Sequence, residues 1–515
     1  MSMKKGKKGK SLLAFATGVC GWSLFAVLCG LAVAAADTPE SWRPGERWRG
    51  FNMEGYALQG KFSEKIDPQD MAWMRELGFN FIRVMVDYHY LAREDDWTKP
   101  DPNRFGFLDR ALDDARSNAL HVNLCLSIPP GIDYKVTRSK ARLYSDEVAQ
   151  QALVDHWRYI AERYRHIPNA DLSFNLYNEP NPDPPGDAYA RLVARCARML
   201  DEVNPGRLLV VDGLECGRKP ELGVLGLKNV VQSLHAYEPM CISHFCASWV
   251  PGSENLRPEW PPMPVVSPVC GDRKPSAARG SIAIRNVPAC TLTVEPNLVN
   301  RIGELVVKAD GRELFRQLYV PAPGADWTNL VARSDGEWAG RPVRPIVVDV
   351  PACARLEVGL GKGDWVDLGR LTVAADGKCA EIRPEFNFMR SQMPRRDVWF
   401  CGFEGAPVAL DEKGSSYTGA DFLQEYTFAQ WDKVLSAGQP VMVGEFGFFN
   451  KTPHAIGLAW LEDNLREWKK RNMGWALWNF RGEFGLIDSK RKDAEYVDFH
   501  GHKLDVKMYE LLKRY

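Results

Sequence analysis

Neither sign of charge dominates this chain. Sixty-six lysines and arginines stand against sixty-six aspartates and glutamates. With no basic stripe interleaved with aromatics, nothing points to a nucleic-acid partner. No CxxC pair occurs, and Cys241 and Cys246, though close, lack zinc-ligand spacing. No His/Asp cluster has such spacing either, so neither metal nor cofactor is expected. Charge is missing altogether from Ser11 to Ala36, a run of 26 residues. Lys4, Lys5, Lys7, Lys8 and Lys10 precede it, and Ala34-Ala35-Ala36 closes it before Asp37, which is the layout of an export signal. The run is longer than a usual signal core and long enough to span a bilayer. Residues 1–36 therefore read either as a cleaved signal peptide or as a retained N-terminal membrane anchor. Both place the body outside the cytoplasm, secreted, periplasmic or tethered. Cys20 and Cys29 follow Val19 and Leu28, where a lipoprotein site wants a small residue. The other ten cysteines belong to the body, where an oxidising compartment permits disulfides but an even count does not show them.

What is present is apolar enough for a globular body, at 45% hydrophobic and 26% charged residues. Its length of 515 residues predicts more than one structural unit. From about 45 to 240, short apolar strands alternate with amphipathic helices. The strands are Trp48–Met53, Phe81–Val86, Val122–Ile128, Leu172–Tyr177, Arg207–Asp212 and Val230–Ala236. Asp67–Leu77 and Ser145–Tyr164 carry helical spacing, with Pro68 in a first turn and Ser145 as a cap. The rhythm stops in a proline-rich stretch that includes Pro251, Pro258, Pro261, Pro262, Pro264 and Pro268. Residues 268–393 lack a helical pattern. They hold short alternating runs, Ser281–Val287, Arg301–Lys308, Ile346–Val350, Leu356–Gly361 and Arg370–Ala374, as in a small β-sandwich. Helices Ala420–Ala437 and Thr452–Arg471 and strands Pro440–Phe446 and Gly474–Phe480 then resume the alternation. Six strands before the break and two after make eight. The expectation is an α/β chain, a (β/α)₈ TIM barrel over 40–267 and 394–515, with a β-sandwich-like domain, 268–393, inserted after strand six. Removing it leaves roughly 350 residues, inside the usual barrel range of roughly 200 to over 400.

A barrel concentrates chemistry at the C-terminal ends of its strands. Strand two carries Arg83 and ends at Asp87. Strand four ends Tyr177-Asn178-Glu179-Pro180, strand six His235-Ala236-Tyr237-Glu238-Pro239 and strand seven Gly444-Glu445-Phe446, and strand eight carries Trp478-Asn479. Glu179 and Glu445 are 266 positions apart, 126 of them in the insertion, so both fall on one rim. A facing pair of carboxyls is what glycoside hydrolysis uses, one to protonate the leaving oxygen and one to attack the anomeric carbon. The seventeen tryptophans suit sugar stacking, although core packing accounts for most.

These residues carry a resemblance. Arg83 in GFNFIRV, Asn178-Glu179 in LYNEP, His235 and Tyr237 in HAY, Glu445 in VGEFG, Trp478 in ALWNF and the opening RGFNMEG together resemble glycoside hydrolase family five, the cellulase and mannanase family. EPMCISHFCASW, with His244 and Trp249, is similar to a segment of some members. The resemblance covers the barrel and not the insertion. It implies retaining hydrolysis of a β-linked polysaccharide or oligosaccharide, with Glu445 as nucleophile and Glu179 as acid/base. It implies that Arg83 and Tyr237 hold Glu445, that Asn178 binds the sugar 2-hydroxyl, that His235 orders the acid/base side and that Trp478 forms the stacking floor. One departure concerns strand three. Where members carry a histidine, this chain reads Leu124-Cys125-Leu126-Ser127-Ile128, with Ser127 in that region, which bears on substrate and not on the carboxylate pair.

Each residue also has a plain structural reading: Glu179 as a helix-start carboxylate, Arg83 as a partner for interior acids, His235 as a satisfied core histidine, Trp478 as strand packing, and Trp249 and His244 as loop anchors. Asp87, Glu238 and Glu404 read as solvated or structural, and Asn52 stands open. The insertion, with Trp327, Trp338 and Trp365, reads as a carbohydrate-binding module or as a structural wall. Besides hydrolysis, a non-catalytic sugar-binding barrel and a transglycosylase remain as alternatives.

Overall fold

The computed structural model describes residues 47–56, 66–132, 142–180, 184–262, 266–267, 269–271, 281–386, 397–410 and 417–515. The expected signal or anchor segment lies outside them. No helix among the described residues is long and apolar enough to cross a membrane.

Eight parallel strands close into a barrel. They are β1 (Arg49–Tyr56), β2 (Phe81–Asp87), β3 (His121–Ile128), β4 (Leu172–Asn175), β5 (Leu209–Asp212), β6 (Val230–Ala236), β7 (Val441–Phe446) and β8 (Trp475–Leu477). Most strand residues are buried, as they must be where a sheet has helices outside and its own lumen inside. Outward residues such as Ile82, Val84, Val122, Leu124 and Val443 meet the helices in the largest hydrophobic cluster. Inward, Trp48, Phe81, Leu208, Val210, Val231, Met442 and Ala476 form a separate apolar layer that plugs the lumen. Two residues further along the same strands the inward positions turn polar: Arg83 after Phe81, Asp212 after Val210, Ser233 after Val231. The period of two thus carries the lumen from plug to site.

Two of the helices begin on an aspartate cap. Asp67 accepts from the Gln69 N–H at 2.9 Å ahead of helix Pro68–Glu76. Helix Glu147–Arg163 is capped by Asp146, which accepts from the Val148 N–H at 2.9 Å. The expected cap Ser145 sits one residue early and donates to the Arg142 carbonyl instead. The stretch expected as helix Ala420–Ala437 contains a π-helical turn, Gln424–Phe428.

Between β6 and β7 the chain builds a second sheet. Its spine is two long antiparallel strands, Cys290–Ala309 and Cys353–Ala375. Their register shifts around Pro296 and again around Gly303. One half of the spine adds Ile346–Val350 and Lys378–Ile382, and the other adds Arg312–Tyr319 and Ser281–Val287. Leu292, Val348 and Leu371 of the first half join Ile284, Leu305, Val307 and Leu356 of the second in one buried cluster, distinct from that of the barrel. The sheet therefore folds over on itself around its own core, which is the sandwich-like insertion. Leu356–Gly361 and Arg370–Ala374, read as two strands, are one, because the glycines between them bend the strand rather than end it. At Gly363, with φ 109°, a Cβ would fall 2.4 Å from the Ile302 carbonyl oxygen. The sheet also takes in Val398–Phe400, parallel to Ser281–Val287, and Val408–Ala409, past the expected limit at 393. Runs of three and two residues are too short for alternation to show.

Candidate active site

Glu445 reaches the lumen through a break in register. β7 pairs Val443 with Leu234 of β6, then Glu445 with His235, so one residue of β7 is extra between them. Regular alternation from the inward Met442 would send Glu445 out to the helices. The bulge turns it in beside His235. Gly444 is the extra residue, and a Cβ there would fall 2.2 Å from Ser233 Oγ. Glu179, four residues beyond β4, has φ 43°, the left-handed region that costs a non-glycine residue roughly 1–2 kcal/mol. Its N–H donates to Asp212 Oδ2 at 3.0 Å.

Arg83 lies beneath the cleft, fully buried, with each guanidinium nitrogen engaged. Nε donates to Asn175 Oδ1 at 2.8 Å, Nη1 to Glu445 Oε1 at 2.8 Å and to Asn52 Oδ1 at 3.0 Å. Nη2 donates to Asn178 Oδ1 at 2.9 Å and to Asp212 Oδ2 at 3.2 Å. Tyr237 Oη donates to Glu445 Oε2 at 3.1 Å. His235 Nδ1 stands 2.9 Å from Glu179 Oε1 and 3.7 Å from Glu445 Oε2, and its Nε2 stands 3.1 Å from Asp212 Oδ2. Single carboxylate oxygens of Glu179 and Glu445 and a nitrogen of His235 lie within 4.8 Å of one another. That spacing suits a cation geometrically, but Arg83 and His235 already supply positive charge there and would repel one.

Burial opposes the charge on Arg83, yet Asp212 and Glu445 are among the neighbours that raise its pKa. Burial likewise opposes charge on His235, but Glu445, Asp212 and Glu179 push its pKa up to about 10. Against the penalty of burial, His235 and Arg83 hold Asp212 well below the usual carboxylate range. Burial pushes the Glu445 carboxyl above its ordinary value, Glu179 adds to the push, and His235 and Arg83 pull against it. His244, desolvated, falls to about 4 and is neutral at pH 7.

A cleft of about 780 Å³ opens above this cluster. Asn178, Glu179, His235, Tyr237, His244, Trp249, Glu445 and Trp478 line it, so of the nine residues singled out from sequence only Arg83 is set below. Trp478 is half buried against Met85 and Cys125 on one side and the Ala247–Phe449–Phe484 group on the other. Trp249 is 53% exposed and stands edge-on to Phe449, ring centres 5.0 Å apart. Ser127, where strand three departs from the family pattern, is buried and is not among the residues that line the cleft.

The family model for cellulase, glycosyl hydrolase family 5, matches residues 39–259. Over those residues, which include strands β1 to β6, the chain is similar to that family. Endoglucanase C of Acetivibrio thermocellus is 25% identical over 209 residues, 39% of this chain and 60% of that protein. Endoglucanase C307 of a Clostridium species matches to the same extent. This chain thus spans 60% of the length of these curated relatives. A solved glycoside hydrolase structure superposes with a TM-score of 0.56 at 22% identity, covering 91% of this chain and 99% of that one, and this likeness is one of fold.

Several parts of this site are not marked by sequence motifs. Asp212 and Asn175 sit at the ends of strands β5 and β4 and bind the same arginine. Asp212 closes a strand that was read from the sequence, so an acidic residue on the functional rim was the available signal. Cys216, Arg218, Met240, Glu483 and Phe484 line the cleft from segments between strands whose paths no periodicity reveals, together with the strand-end residues Glu238 and Asn479.

Proposed function

We propose that this chain is a retaining glycoside hydrolase that cleaves β-linked glycans, β-1,4-glucan or mannan-like, by double displacement. The observation that carries this reading is the approach of Glu179 and Glu445 to within 4.8 Å. Retaining pairs stand roughly 5–5.5 Å apart, whereas inverting pairs leave roughly 6.5–9.5 Å for a water. Glu445 attacks the anomeric carbon, held by Arg83 and Tyr237. Glu179 gives a proton to the leaving oxygen and then, as base, takes one from the water that releases the glycosyl group. Asn178 takes the 2-hydroxyl and His235 orders Glu179. Trp478 is the floor under the scissile sugar, and Trp249 with His244 contacts its neighbour. The endoglucanase names of the two relatives favour a β-glucan. The body works outside the cytoplasm, released or tethered by residues 1–36, a reading that rests on their composition and that cell fractionation tests.

NMR of the first-formed sugar from a β-glucan is expected to show the retained β-anomer, and an inverted product overturns the mechanism. Glu445→Gln is expected to lower kcat by ~10⁴-fold or more with the fold intact. Full activity in that variant removes the assignment.

A further inference from the structure

We propose that Asp212 is a positioning residue of this site: it orients His235, fixes which imidazole nitrogen carries hydrogen, and thereby keeps a transferable proton on Glu179. This rests on the hydrolase reading above.

Asp212 is the last residue of β5 and is fully buried. Three N–H donors hold its carboxylate, and His235 stands beside it. Oδ2 accepts from Arg83 Nη2 at 3.2 Å and from the Glu179 N–H at 3.0 Å, and lies 3.1 Å from His235 Nε2. Oδ1 accepts from Asn175 Nδ2 at 3.2 Å. A carboxylate so placed has no proton to offer. The imidazole turns Nε2 towards that negative charge at 3.1 Å, which favours a proton on Nε2. The other ring nitrogen, Nδ1, faces Glu179 Oε1 at 2.9 Å. With Nε2 protonated, Nδ1 either carries a second hydrogen and donates to a Glu179 carboxylate, or is bare and accepts from a Glu179 carboxylic acid. Both arrangements put one proton on the line between Nδ1 and Oε1. That proton passes to the leaving oxygen as the glycosidic C–O bond breaks. The bond's electron pair goes to that oxygen, and the Glu445 carboxylate forms the new bond to the anomeric carbon.

The imidazole has little room to leave this line. A Cβ on Gly217 would fall 2.6 Å from its Cγ, and one on Gly444 would fall 3.2 Å from its Nε2. The segment that presses Gly217 on the ring begins directly after Asp212 and holds Glu215, Cys216 and Gly217 at φ 52°, 57° and 78°. Such backbone persists only where its surroundings impose it. The charged groups facing the ring are Asp212 from β5, Glu179 beyond β4 and Glu445 from β7. Arg83 from β2 stands behind Asp212 and Glu445, and Tyr237 lies on the ring's own strand. In the closing segment Glu215 pairs with Lys219 and Arg218 with Glu238, beside Cys216. Of the carboxylates, only Asp212 lies against Nε2. Its negative charge raises the proton affinity of the His235–Glu179 pair, and its loss lowers it.

Asp212→Asn keeps the shape and removes the charge. Expected for this variant are an alkaline limb of kcat/KM displaced at least one pH unit downward and a loss of tenfold or more on an alkyl β-glycoside. On an aryl glycoside whose phenolate leaves unaided, the loss is expected to be several-fold smaller. An unmoved alkaline limb with equal losses on both substrates overturns the proposal, since a merely structural role gives that pattern. Histidine-selective ¹⁵N NMR of the wild-type chain, with His235→Asn for assignment, reads the ring without any hydrolysis. Nε2 protonated at pH 7 supports the proposal, and a bare Nε2 overturns it. Because that spectrum needs no Asp212 variant and no substrate, it decides the matter even if Asp212→Asn does not fold. A chain that hydrolyses no glycan while His235 keeps its Nε2 proton discards the hydrolase reading and leaves the proton placement standing.

Discussion

Arg83 Nη1 donates to Glu445 Oε1 at 2.8 Å and so joins β2 to β7, 362 positions later. The bond lies where the lumen changes from an apolar plug to a layer of charge. A carboxylate buried this deeply is destabilised by the loss of water, and the rise in the Glu445 pKa reflects that. In the proposed mechanism, what keeps it able to attack is positive charge close by, and Arg83 is a cation that solvent pH does not switch off.

Arg83→Met removes that cation. With the opposing charge gone, the Glu445 pKa climbs further, so protonation silences the nucleophile at a higher pH. The acid limb of kcat/KM is expected to move up by about one unit or more, and kcat near neutrality to fall ~10²–10³-fold. The variant also takes the buried guanidinium from Asp212 and Glu445, at a cost of about 3–5 kcal/mol in stability. A pH–rate series with chemical denaturation checks both. An unmoved acid limb means that Arg83 does not tune Glu445.

Gly217→Ala tests the packing on His235. The position has φ 78°, where alanine is strained by roughly 1–2 kcal/mol, and the added Cβ would fall 2.6 Å from the imidazole. The ring must shift, and with it the 2.9 Å approach to Glu179. The expected outcome is a kcat reduced at least tenfold with a KM little changed, because binding along the rest of the cleft is untouched. Steady-state kinetics at a temperature well below the melt decides. A KM effect alone would place Gly217 in substrate binding.

How far these features were legible depended on their length and regularity. Strand β6, Val230–Ala236, and the insertion strands Ser281–Val287 and Ile346–Val350 match their sequence reading residue for residue, because a turn-forming residue, Asn229, Gly280 or Pro345, stands directly before each. The barrel rim could be read because residues at strand ends share one face whatever the loops do. The bulge at Gly444 could not, since an extra residue in β7 is defined only against its partner β6. Asp212 was hidden differently. An aspartate that ends a strand looks like any cap or turn residue until Arg83, His235 and the Glu179 N–H are seen to converge on it. Loop residues such as Arg218 and Glu483 entered the cleft by tertiary folding that local propensity does not encode.

Two tryptophans in one cleft are expected to respond differently. Trp249 is 53% exposed, so Trp249→Ala leaves the fold almost unchanged and costs a stacking surface. KM for a long glucan should rise about five- to tenfold, equivalent to ~1–1.4 kcal/mol, with kcat retained. Trp478 packs on Met85 and Cys125 beside the reacting carboxylates, so Trp478→Ala should lower kcat and the melting temperature together. The two variants assayed on a glucan-length series separate the roles. A Trp249 variant with wild-type KM on every length would make that ring a loop anchor.

The insertion invites a sharper test, because its apolar cluster is distinct from that of the barrel. Leu305 is completely buried in it, on the strand that pairs with both Arg312–Tyr319 and Cys353–Ala375. Leu305→Ala should cost about 2–5 kcal/mol of the stability of the inserted sheet, as a cavity in a packed core does. Leu234→Ala, in the barrel strand that also carries His235, should cost a similar amount. Only the second variant touches a strand that carries a residue of the proposed site. At a temperature where both remain folded, Leu305→Ala is expected to keep wild-type kcat and KM, and Leu234→Ala to lose kcat by shifting His235. Parallel denaturation and kinetics settle the comparison. A drop in kcat for Leu305→Ala without unfolding would show that the inserted sheet shapes the cleft, which would favour its role as a wall of the site over that of an independent module.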